Sequence, residues 1–166
     1  MKNISYEDLE RIALGAIEEA LDTDDRELLS IGEAPCFDIF GIGEGVEIEI
    51  EFDNPTFSYP YYDGERVSLS LNVSAGEATL NVMMGIACSN PTLANEFIEM
   101  YMRSSRYKNV WQVTAMAEAD SGLMLSAGFS FDGERELSEK LSETLSLFKN
   151  ERFTNELRPF IHYFGD

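Results

Sequence analysis

Hydrophobic positions change period along the chain, and each change marks an element. Leu9, Ile12, Ala13, Ala16, Ile17, Ala20 and Leu21 recur at three and four residues, the spacing that lines one face of an α-helix. Ser5 followed by Asp8 gives that helix a capping-box-like start. Asp22-Thr23-Asp24-Asp25 closes it as a solvated acidic end. A calcium loop counted from Asp22 would need a turn glycine where the chain has Glu27, so no metal is expected there.

Period two follows. Cys36 to Ile42 is apolar on both faces apart from Asp38. Val46, Ile48, Ile50 and Phe52 then alternate with Glu47, Glu49 and Glu51, the pattern of a strand with one face buried. Gly41-Ile42-Gly43-Glu44-Gly45 lies between these runs and reads as a hairpin turn. It is no dinucleotide cradle, because a strand rather than a helix follows it. Val67, Leu69, Leu71 and Val73 alternate with Ser68, Ser70 and Asn72. Ala78, Leu80, Val82 and Met84 form a further strand, joined to the previous one by Ser74-Ala75-Gly76-Glu77.

Asn90 and Pro91 open a second helix with Leu93, Phe97, Ile98, Tyr101 and Met102 inward and Arg103, Arg106 and Lys108 near its end. Two strands, Val110 to Glu118 and Leu123 to Phe131, come next. Asp132-Gly133 starts a helix carrying Leu137, Leu141, Leu145 and Phe148, and the tail from Phe153 to Phe164 reads as a short helix or docked extension. The order is α-β-β-β-β-α-β-β-α-α. Short connections between strands require antiparallel pairing. The expected fold is therefore α+β, an antiparallel sheet of about five to six strands with helices packed on one face. No repeat or linker divides residues 1–166, so one domain is expected.

Charge narrows the function classes. Asp plus Glu is 31 and Lys plus Arg is 12, a net charge of −19. Residues 1–83 hold 19 acids and 4 bases, and residues 84–166 hold 12 and 8. Such a field repels phosphate backbones and anionic lipids, which argues against nucleic-acid and membrane partners. It suits solubility, and it also suits a basic partner or a cation. The acidic N-terminus does not read as a signal peptide, no apolar run is long enough for a helix to span a bilayer, and a cytoplasmic location is expected.

Catalytic signatures are missing. The one histidine, His162, lies in the tail between Ile161 and Tyr163. Cys36 and Cys88 sit in apolar surroundings that favour inert packing. Catalysis by acids alone would need Asp38 and a second carboxylate converging in a cleft, and nothing in the sequence supplies the asymmetry that such a pair requires. No catalytic residue, metal ligand or cofactor is assigned.

Two features favour binding. Phe57, Tyr59, Tyr61 and Tyr62 crowd one loop stiffened by Pro55 and Pro60, a composition found at recognition surfaces and equally in lids folded over a core. Glu47, Glu49 and Glu51 form an acidic row that serves as a solvated sheet face or as an electrostatic guide for a basic partner. Met83, Met84, Met100, Met102, Met116 and Met124 suit gap-filling in the core or an adaptable face.

The run Glu96 to Lys108, a helix ending in the basic-aromatic-basic turn Arg106-Tyr107-Lys108, resembles the YbjN family, whose fold is similar to that of type III secretion chaperones. The Leu-rich stretch from Leu137 to Phe153 resembles that family's closing helix. The resemblance implies a small, acidic, cytoplasmic protein, often a homodimer, acting through protein contacts. The aromatic loop at 54–64 departs from the pattern. The sequence thus points to a non-enzymatic protein-binding module, chaperone-like or regulatory, with Tyr59, Tyr61, Tyr62, Glu47, Glu49 and Glu51 as its partner surface. The alternative is a small-ligand or cation-binding domain with a pocket between sheet and helix.

Overall fold

Ser5 begins the order. It holds extended backbone (φ −68°, ψ 157°), its Oγ accepts the Asp8 N–H at 3.2 Å, and its hydroxyl donates to the Asp8 carboxylate at 2.9 Å. Two polar groups at the helix start are thereby satisfied. Helix α1, Tyr6–Leu21, ends where Asp22 turns left-handed at φ 51° and donates its N–H to Glu18 O at 3.0 Å. A computed structural model describes residues 4–22, 25–38, 41–53, 66–85, 91–116, 122–153 and 155–156.

The strands are β1 Arg26–Asp38, β2 Gly41–Asp53, β3 Arg66–Ser74 and β4 Glu77–Gly85, followed after α2 (Pro91–Ser104) by β5 Gln112–Met116 and β6 Gly122–Ser130. They form one six-stranded sheet in the order β1-β2-β3-β4-β6-β5, antiparallel throughout. Helix α3, Glu134–Ser146, runs into a short 3-10 turn at Leu147–Lys149 and helical residues at 151–153 and 155–156. The expected α+β class and element order hold. The β3–β4 connection is a two-residue turn between Ser74 and Glu77, and Gly76 carries the φ of 83° that it needs.

Two expectations change. The run Gly41 to Gly45 is strand rather than hairpin turn, with Gly41, Gly43 and Gly45 pairing with Asp38, Cys36 and Ala34. The strand before it begins at Arg26, ten residues ahead of Cys36. Its alternation is hidden by a register shift between Leu28 and Ser30, which leaves Leu29 as the extra residue of a β-bulge. Leu28 and Ile31 thus face the same side, opposite Ile50 and Ile48, although they are three positions apart.

The core lies on one side of the sheet. Ile48, Leu71, Leu80 and Ala127 form one cross-strand row, and Ile50, Leu69, Val82, Leu125 and Val113 form the next. All are buried, together with the inward stripe of α1, Tyr101 of α2, and Leu137, Leu141 and Leu145 of α3. Fully burying an aliphatic or aromatic side chain of this size is worth about 1.5–3 kcal/mol. Helices α1 and α3 also meet through polar rims, Arg11 with Glu134 at 3.5 Å and Lys149 with Asp22. At the far end Trp111 packs against Phe148 (5.4 Å) and Phe153 (6.5 Å), and Tyr107 meets Phe153 edge-on at 5.4 Å. Asn150 fastens this corner: its Oδ1 accepts the Arg152 and Phe153 N–H groups at 3.0 and 3.3 Å and the Tyr107 hydroxyl at 3.3 Å.

Candidate functional site

The second face of the sheet follows from the same alternation. In register across it run Glu27, Glu51, Ser68, Met83 and Met124, then Ser30, Glu49, Ser70, Asn81 and Ser126, then Gly32, Glu47, Asn72, Thr79 and Gly128. The buried residues of the described helices join the core on the opposite side. This face is tied laterally by hydroxyls. Ser30 donates to Glu49 at 3.3 Å, Ser70 to Glu47 at 3.0 Å, and Ser126 to Asn81 at 2.6 Å. Ser70 is buried among its neighbours, Glu49 is exposed, and Glu47 and Glu51 are half-buried.

Its charge is lopsided. The β1–β2 half carries Glu27, Glu47, Glu49 and Glu51, and Glu27 lies directly opposite Glu51, a like-charge pairing that disfavours the sheet. The β3–β4–β6 half carries mainly Ser, Thr, Asn and Met, with Glu77 at the start of β4 as its one acid among the described strand positions. Among the described strand positions of this face, the single base is Arg66, in register with Asp53 at the strand end. The acidic row expected from the sequence is thus placed on one face. Its strand is not at the sheet margin, because β1 lies outside it. Tyr59, Tyr61 and Tyr62 belong to the connection between β2 and β3 and lie outside the described residues, as do His162 and Cys88.

A cleft that no local motif announces opens on the core side, at the end of the sheet beneath the start of α1. Its volume is about 340 Å³, and its lining includes Ile4, Tyr6, Leu9, Glu33, Glu44, Val46, Val73 and Phe131. Four separate pieces of chain build it. Ser5 fixes the helix start over it, the β1–β2 ribbon supplies Glu33 and Glu44, the β3–β4 turn closes one side, and Phe131 closes another by donating its N–H to Gly76 O at 2.9 Å. Leu9, Val73 and Phe131 are buried in its floor, and the Tyr6 ring stands 41% exposed at its rim. Asp8, in the first turn above, is held below the usual carboxylate range by the Ser5 hydroxyl and then by Arg11. No group of three or more His, Cys, Asp or Glu side chains among the described residues is arranged to hold a metal ion.

At the opposite end of the molecule Ser105 is buried. Ser105 donates to Glu156 at 2.5 Å and accepts the Tyr107 N–H at 3.0 Å. Burial pushes the Tyr101 phenol above its ordinary range, with the Ser105 hydrogen bond acting against it and the Glu156 charge adding to it.

No family model matches the chain, and no curated protein matches it. Among solved structures it is similar to YbjN from E. coli, a proposed transcription regulator. The match covers 70% of this chain and 78% of that one, at 12% identity and a TM-score of 0.39. A likeness this loose transfers neither site nor partner. No described helix is long and apolar enough to cross a membrane.

Proposed function

We propose that the chain is a non-enzymatic protein-binding module, chaperone-like or regulatory, that takes a basic protein partner on the acidic half of its open sheet face. One observation carries this reading. Glu47, Glu49 and Glu51 share a face with Glu27, and the register places no base among them. Clustered carboxylates on a rigid strand steer a cationic partner and set its orientation more than they set its affinity. The connection bearing Tyr59, Tyr61 and Tyr62 leaves β2 just after Asp53, two residues beyond Glu51. Those aromatics would supply the apolar contact that the acids lack. A cytoplasmic homodimer is the assembly in which this module works.

Titration of the protein with a lysine-rich peptide and its acidic counterpart tests the proposal. Salt-sensitive binding of the basic peptide, abolished by changing Glu47, Glu49 and Glu51 together to Gln, is the expected result. Equal binding by the triple variant removes the sheet face from the account. Light scattering decides the assembly, and a monomer at physiological salt rejects the dimer. A second reading, small-ligand binding, is favoured by a different observation, the cleft beneath α1.

A further inference from the structure

The cleft beneath α1 joins an apolar floor to charge of one sign. In the β1–β2 ladder Glu33 pairs with Val46, and Pro35 pairs with Glu44. Glu33 and Glu44 are therefore diagonal neighbours on the same face, roughly 7–8 Å apart. Both side chains are exposed at the cleft, whose described lining contains no base. Between and below them lie Val46, Val73 and Leu9. The start of α1 does not neutralise the pair. Its Asp8 N–H is taken by Ser5 Oγ, its Leu9 N–H goes to Ser5 O, and Glu7 and Asp8 already face its dipole. Two carboxylates with no base among the described lining residues, over a hydrocarbon floor, match a ligand with a positive charge at each end and an apolar middle. A volume of about 340 Å³ falls within the range of small-ligand sites, roughly 300–1,000 Å³.

We propose that this cleft binds a small aliphatic diamine, with its ammonium groups at Glu33 and Glu44 and its hydrocarbon on Leu9, Val46 and Val73. The inference rests on the small-ligand reading and names the chemistry of the ligand. It is independent of the open face, because the cleft and the acidic row lie on opposite sides of the sheet. The large negative charge of the chain raises the local concentration of any cation, so a true site must be told apart from that general field.

Thermal unfolding at matched ionic strength, with cadaverine, pentanediol of the same chain length and the dicarboxylate glutarate, separates the outcomes. Cadaverine is expected to raise the midpoint saturably, as linkage requires, while pentanediol and glutarate do not. In a Glu33→Gln, Glu44→Gln variant the apparent affinity should fall by about tenfold or more, the loss of charge-assisted hydrogen bonds. Glu99→Gln, on the exposed side of α2, should leave it unchanged. Both carboxylates are surface groups, so each variant's own midpoint shows that it folds. An equal cadaverine shift in the double variant overturns the proposal in favour of the general field. Equal shifts with pentanediol keep the ligand site but refute the diamine. No shift with any of the three removes both the diamine and the small-ligand reading. None of these three results bears on peptide binding at the open face.

Discussion

The two faces of the sheet share the same strands, ladders and twist, yet one is held by hydrocarbon and the other by hydroxyls. On the core side the central rungs from β2 to β5 set a Val, Ile, Leu, Ala or Phe against another, from Phe52 opposite Val67 to Leu125 opposite Val113. On the open side the middle rung runs Ser30, Glu49, Ser70, Asn81 and Ser126, linked pairwise by side-chain hydrogen bonds. Burial fixes most of the first face, and what that face offers a ligand is the cleft at its end beneath α1. The second is held by polar side-chain links, with Glu49 and Thr79 exposed on it.

That contrast can be broken first at its strongest point. Trp111→Ala empties the space between Phe148 and Phe153 and should cost about 3–5 kcal/mol in a urea denaturation series. Trp111→Phe should cost much less, partly because it removes an indole N–H that meets no acceptor among the described residues. Next, Leu71→Ala on the core side should cost about 2–5 kcal/mol, whereas Thr79→Ala on the exposed side of the neighbouring strand should stay within about 0.5 kcal/mol. Similar losses at the two positions would mean that the open face is covered and that the proposed partner surface is wrong.

Ser5→Ala should cost about 1 kcal/mol through the lost helix cap. It also changes the response to acid. The Asp8 carboxyl titrates lower in the folded chain than in the unfolded one. Its contribution is thus present at neutral pH and is lost as pH falls below about 4 and through the folded value. Denaturation of the variant between neutral and acid pH should show a shallower loss attributable to this residue. The smallest effect is expected at the like-charge rung. Glu27→Lys opposite Glu51 should gain about 0.2–1 kcal/mol, and added salt should shrink that gain.

Legibility in the sequence followed how local each cause was. The strict alternation from Val46 to Phe52 declared both faces of β2, and Ser5 with Asp8 declared the start of α1, because those patterns need only a few adjacent residues. The first half of β1 was invisible because the bulge at Leu29 resets the alternation, and Gly32 and Pro35 look like a loop. The glycines of Gly41–Gly45 look like a turn because their composition is that of one; only pairing with β1 makes them strand. The acidic row was legible as a row, but not as the inner neighbour of an edge strand. The cleft had no local signature at all, since Ile4, Glu33, Glu44, Val73 and Phe131 are brought together only by tertiary folding.

The extra residue at Leu29 reaches beyond the register of one hairpin. β1 is an outermost strand thirteen residues long, and such a margin invites endless stacking of like chains. A newcomer aligned with Gly32 and its neighbours would lose step on passing Leu29, because the bulge turns the next donors and acceptors away. Pro35 removes one more donor. What remains are short docking lengths, adequate for a brief encounter and too broken to template a fibre. A single inserted residue thus keeps the outermost strand of the described sheet from presenting one unbroken template along its thirteen residues.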